Sequence, residues 1–172
     1  MRILGIDPGL QVCGYACVDF DGTGEHLVEA GVLRTEERQP IEVRLNRIAE
    51  DIGTLLENFK PEVVAVEQLY SHYEHPRTAI LMGHARGVIL QKCAESGIEV
   101  KSFNPTRIKK SVTGNGRAKK EQVQRTIQTL LRLPDLPQPA DVADAIAVAL
   151  CCANSMAGGF DRLTAGEKIV RR

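Results

Sequence analysis

Tryptophan is absent from this 172-residue chain, and aromatic residues make up only 4% of it. The interior must therefore be filled mainly by aliphatic side chains. No apolar run approaches the roughly 20 residues of a membrane span, so no membrane association is expected. A charged and apolar leader is also missing. The chain passes directly from Met1 into a strand pattern, which argues against export and for a cytoplasmic setting. Cys13, Cys17, Cys93, Cys151 and Cys152 are odd in number and lack paired C-x-x-C spacing. They are read as buried reduced thiols rather than disulfides or zinc ligands. Internal repeats and low-complexity segments are lacking too. The length suits one domain with a sizeable core, taken as residues 1–157 followed by a tail at 158–172.

Net charge is zero, with 22 basic and 22 acidic residues. Taken alone that balance argues against a nucleic-acid partner, but the distribution argues for one. Residues 1–75 carry 14 acids and 6 bases, whereas residues 107–132 carry 8 bases and the single acid Glu121. A basic segment on an acidic body is the footprint of a polyanion partner, although a basic helix face alone is commonly just solvated.

Hydrophobic periodicity predicts strands over residues 2–8, 13–20 and about 26–35, the last two joined by the Asp21-Gly22 turn. The gap between Cys13 and Cys17 would set both thiols on one strand face. Pro40 opens a helix whose apolar positions Ile41, Leu45, Ile48, Ile52, Leu55, Leu56 and Phe59 follow three-four spacing. Residues 62–67 form a β-branched buried strand, and Pro76 starts a helix to about Ser96, ended by Gly97. A fifth strand spans 98–103. Pro105 starts a short helix broken at Gly114-Asn115-Gly116, and another begins near Lys119. The last helix runs from Ala140 to about Ala157, apolar all round and therefore expected to be buried. Three meandering strands followed by helices alternating with strands predict an α/β fold, a five-stranded mixed sheet with helices on both faces.

Four carboxylates stand out. Asp7 follows Ile3-Leu4-Gly5-Ile6, and Glu67 follows Val63-Val64-Ala65-Val66, both runs reading as buried strands that disfavour an unpaired charge. Asp141 and Asp144 are three apart at the start of the last helix and so share a face. Each has a bland alternative. Asp before Pro-Gly is often a turn residue, Glu at a strand end is usually solvated, and acids in a first helical turn complement the macrodipole. All three features in one chain favour convergence into an anionic pocket for hard divalent cations.

The order of these elements resembles the ribonuclease H-like nucleases, and most closely the bacterial Holliday junction resolvases. The matching residues are Gly5-Ile6-Asp7-Pro8-Gly9 with Gly14-Tyr15-Ala16, Val66-Glu67-Gln68, and Gly83-His84-Ala85-Arg86-Gly87. Ile108-Lys109-Lys110-Ser111-Val112 and Ala140-Asp141-Val142-Ala143-Asp144-Ala145 complete the set. The likeness extends to about residue 157. It implies that Asp7, Glu67, Asp141 and Asp144 are the catalytic residues and hold two Mg2+ ions, for which Mn2+ can substitute. It further implies a homodimer that cuts opposed strands of four-way junction DNA, partnered by a branch-migration motor of the RuvA–RuvB type. Tyr70 matches an aromatic that wedges against bases near the cut, and Arg86, Lys109 and Lys120 match DNA-contacting positions. Lys110, Arg117 and Lys119 extend the basic set, on a loop whose glycines are expected to make it mobile. The helix over Pro76–Ser96 is the expected dimer contact. His72 and His75 are read as loop residues, and His26 and His84 receive no ligand role.

Three other functions compete. An actin-like ATPase or sugar kinase domain also carries an Asp-x-Gly loop between strands, but it needs a second such loop in a duplicated half and usually twice this length. A module that binds branched DNA without cutting it would lack a carboxylate. A ribonuclease H-like enzyme acting on RNA in a hybrid is separated from a junction resolvase only by the family likeness.

Overall fold

The computed structural model describes residues 1–22, 24–69 and 76–157. Its strands are β1 (Arg2–Asp7), β2 (Val12–Phe20), β3 (Glu25–Arg34), β4 (Val63–Glu67) and β5 (Glu99–Phe103), in one sheet of order β3-β2-β1-β4-β5. β1, β2 and β3 pair antiparallel, while β4 lies parallel to both β1 and β5. The helices are α1 (Ile41–Phe59), α2 (Pro76–Glu95), α3 (Pro105–Thr113), α4 (Lys120–Leu130) and α5 (Ala140–Ala157). This is the mixed sheet that the periodicity predicts.

Strand alternation divides the core in two. Leu4 and Ile6 of β1, with Val64 and Val66 of β4, face Ile48, Ile52 and Leu56 of α1 and Ile89 of α2. Ile3, Val63 and Ala65 face the opposite layer, where α5 lies against the sheet with Ile108 of α3 and Ile127 of α4 outside it. Cys13 and Cys17 share the α1–α2 side, as their even spacing predicts. All five cysteines are buried.

By length and composition α5 would suit a membrane span, which corrects the expectation that no segment approaches one. Its side chains from Ala145 to Ala153 are instead buried within the fold. Small residues let it lie unusually close to the sheet. A Cβ added to Gly5 would stand 2.4 Å from the Ala145 carbonyl oxygen and 2.7 Å from the Ala149 nitrogen. One added to Gly14 would stand 2.1 Å from the Asp141 carbonyl oxygen. A glycine inside a strand marks such a backbone approach, and here it sets the depth of the helix that carries two candidate ligands.

Candidate active site

The parallel pairing of β1 and β4 brings the first two carboxylates together. The register aligns Ile6 with Val66, so Asp7 and Glu67 end adjacent parallel strands side by side. Alternation turns both away from the Leu4–Ile6–Val64–Val66 face and toward the α5 layer. There the first turns of α5 present Asp141 and Asp144, and all four carboxylates line one cleft of about 660 Å3. The carboxyl ends of parallel strands are a common place for ligand sites in α/β sheets.

The four groups are close enough to repel one another. Burial first, then the charges of Glu67, Asp144 and Asp141, pushes the Asp7 carboxyl up to about 8. Glu67 is pushed up to about 7, again by burial first and by Asp144 second, against the opposing pull of Lys120 and Lys109. Desolvation and like charge act in the same direction here, each favouring the neutral acid until a cation arrives. Lys120 supplies part of that compensation through its Nζ, 3.1 Å from Asp144 Oδ2. The Asp144 charge raises the Lys120 pKa in turn. Among the described residues, no group of three or more Asp, Glu, His or Cys side chains is drawn into a closed ligand set. The donor chemistry nevertheless fits a hard divalent ion: the acidic donors are carboxylate oxygens, two of them largely desolvated, on a cleft open to solvent.

The predicted basic residues separate by position. Lys109 on α3 and Lys120 at the start of α4 line the cleft beside the carboxylates. Lys110, Arg117 and Lys119 are exposed and lie outside its lining. Arg86 is half-buried on α2 and also outside that lining. Its Nε donates to the Glu67 carbonyl oxygen at 3.3 Å and its Nη2 to Ser102 Oγ at 2.9 Å. That places it as a brace on the end of β4, where the backbone of a candidate ligand leaves the sheet. Tyr70, His72 and His75 lie outside the described residues.

The Gly114-Asn115-Gly116 segment has, beside the expected mobility, a structural reason for its glycines. Gly114 caps α3 in the left-handed region at φ 75°, its N–H bonded to the Lys110 carbonyl. A Cβ on Gly116 would stand 2.7 Å from Thr106 Cγ2. Asn115 accepts from the Arg117 N–H through its side chain and from the Ala118 N–H through its carbonyl. The segment is a tightly bonded turn that fixes α3 against α4 and so fixes Lys109 relative to Lys120.

Two contributions to the site were not assigned from sequence, where Gly14 entered only as part of the matching Gly14-Tyr15-Ala16. Gly14 sits opposite Asp7 in the β1–β2 ladder and admits the α5 backbone at Asp141. Its signal was a glycine within a strand pattern. Arg44 also lines the cleft, although it is only 8% exposed. Its signal was a cation on the apolar stripe of α1, four residues before Ile48.

The family model described as "Crossover junction endodeoxyribonuclease RuvC" matches residues 3–152. A curated protein of that name from Rhodopirellula baltica is 48% identical over 149 residues, covering 87% of this chain and 84% of the relative. The solved structure of Thermus thermophilus RuvC superposes with a TM-score of 0.83 at 32% identity, over 95% of this chain and 97% of that one. A second T. thermophilus RuvC structure, in complex with a Holliday junction substrate, gives 0.82 at 30% identity, over 91% and 95%. A match spanning the strands and the helix that carry all four carboxylates is enough to place it: this chain belongs to the crossover junction endodeoxyribonuclease RuvC family.

Proposed function

We propose that this protein resolves four-way DNA junctions, cutting two opposed strands with divalent metal ions held by Asp7, Glu67, Asp141 and Asp144. Family membership supports the substrate, and one observation above all supports the chemistry. Asp7 and Glu67 end neighbouring parallel strands on the face covered by the first turns of α5, where Asp141 and Asp144 project. Bound there, a pair of Mg2+ or Mn2+ ions supplies activation of a water and stabilisation of the leaving 3′ oxygen in an in-line displacement that leaves a 5′-phosphate. The four carboxylates contribute the negative charge that retains such ions, and desolvation of Asp7 and Glu67 strengthens that attraction. Lys109 and Lys120, on the same cleft, neutralise the backbone of the strand being cut. Lys120 engages only Oδ2 of Asp144, so the other carboxylate oxygen is the one available to a metal ion while the ammonium stays on the cleft beside the DNA.

Symmetric nicking needs two sites related by a two-fold axis, as a homodimer provides. The outer face of α2 suits that contact: Ile80 is 60% exposed, and the space above Gly83 and Gly87 is open. Residues 1–157 form the single catalytic domain in this account, working in the cytoplasm with a RuvA–RuvB type motor. Tyr70 is assigned by family likeness to stacking against bases near the cut, and Lys110, Arg117 and Lys119 to flanking DNA. The test is incubation with a synthetic four-way junction, with Mg2+ or with chelator, beside linear duplex and an RNA–DNA hybrid. Paired symmetric nicks on the junction alone, and only with metal, are expected. Cleavage of the hybrid instead would replace this function with that of a ribonuclease.

A further inference from the structure

Arg44 is the anomaly of the cleft. It belongs to α1, whose other inward positions are Ile48, Ile52, Leu55 and Leu56, and it is itself only 8% exposed. Burial of a guanidinium without an anion is costly. Yet no carboxylate stands within ion-pair distance of it among the described residues, and Glu37, which also lines the cleft, does not reach it. One nitrogen is committed: Nε donates to Thr35 Oγ1 at 2.9 Å, while that hydroxyl donates to the Leu10 carbonyl at 2.5 Å. This chain of bonds ties α1 to the turn that follows Asp7 and fixes the plane of the guanidinium. The two Nη nitrogens make no hydrogen bond within the described residues, and neither is shut off from solvent. A held guanidinium, buried along its stem with its outer edge unused and open to the cleft, is the geometry that takes an oxyanion through paired N–H donors.

Position says which oxyanion. Arg44 enters the cleft from the α1–α2 layer, whereas Lys109 and Lys120 enter from the layer of α3, α4 and α5. The carboxylates lie on the same cleft, at the sheet end between the two layers. We propose that Arg44 is a substrate-binding residue, whose outer guanidinium edge receives a phosphodiester oxygen of the DNA strand lying in this cleft. The strand is then gripped by cations from both layers while the phosphate to be cut faces the acidic centre. This deepens the resolvase function proposed above and rests on it.

The experiment measures junction affinity in chelator, where no cutting occurs, against salt concentration, for the wild type, Arg44→Leu and Arg44→Lys. Loss of one phosphate contact lowers the magnitude of the slope of log affinity against log salt by about 0.9. Arg44→Leu is expected to show that decrease with an affinity about tenfold weaker, the scale of one charged hydrogen bond. Its thermal stability should be equal or higher, because a buried cation without an anion is gone and Thr35 keeps its bond to the Leu10 carbonyl. Arg44→Lys is expected to keep the wild-type slope. If Arg44 serves only to pin Thr35, Arg44→Leu loses stability and keeps the slope, and the assignment is overturned. Should Arg44→Leu fail to fold, Arg44→Gln replaces it as the neutral variant, with the same slope criterion. A wild type that does not bind junctions removes the resolvase function and this assignment together. A wild type that binds, with a slope the neutral variants leave unchanged, removes the assignment alone.

Discussion

Replacing Asp7 by Asn should destroy activity and at the same time stabilise the metal-free fold, and the size of that gain follows from the site. The Asp7 carboxyl is raised from 3.8 to about 8 on folding, by burial first and by its acidic neighbours second. Between those two values the native state keeps a proton that the unfolded chain has released. Stability of the wild type in chelator therefore falls as pH rises, by about 1.4 kcal/mol per pH unit for this group. The loss begins near pH 4, is complete above about pH 8, and is capped at ~6 kcal/mol. Asn carries no charge, so the variant escapes the loss. Burying an amide whose hydrogen bonds the cleft does not complete returns roughly 1–3 kcal/mol of it. At pH 9 the variant should thus be more stable than the wild type by about 3 kcal/mol or more. Near pH 4, where that charge penalty vanishes, the order should reverse, the wild type leading by the roughly 1–3 kcal/mol amide cost. Urea unfolding in EDTA at intervals from pH 4 to pH 9 measures this directly. Equal stability of the two proteins at pH 9 would refute the claim that Asp7 sits desolvated among like charges.

Other expectations concern the supports of the site. Gly14→Ala drives a methyl group into the Asp141 carbonyl. It should cost roughly 1–3 kcal/mol by thermal unfolding and slow nicking more than that loss alone explains, because α5 must retreat with both of its carboxylates. Lys120→Met should weaken junction binding and lower the magnitude of its salt slope by about 0.9; an unchanged slope would take Lys120 off the DNA. Arg86→Met should leave the salt slope unchanged, since Arg86 bonds the Glu67 carbonyl and Ser102. Its expected effects are a lower nicking rate and a higher Mn2+ concentration at half-saturation by calorimetry, and a flattened salt slope would return it to the DNA interface.

Much of the site was legible because strand and helix periodicities are strong in this chain. Asp7 and Glu67 each close an apolar run, and the spacing of Asp141 and Asp144 needs only a helix to bring them onto one face. Their convergence was not legible from any one segment: it depends on β4 pairing parallel with β1 in the register Ile6 to Val66. Pairing register is a long-range property, and family likeness supplied it here. The likeness also placed Arg86 on DNA, while the fold gives its guanidinium two partners at the end of β4 and β5. Glycines near 115 read as mobility because sequence shows only conformational freedom. Coordinates add that Gly116 leaves no room for a Cβ beside Thr106. Arg44 was passed over for a related reason, since a cation on an apolar stripe is conspicuous only once the stripe is known to end at a cleft.

The central claim is that Asp7, Glu67, Asp141 and Asp144 jointly hold divalent ions. Crystals grown with Mn2+ test it most directly, through the anomalous signal of the metal. The account predicts two peaks per protomer in the cleft, bounded by these four side chains. Manganese bound elsewhere, with no peak beside Asp7, would contradict it.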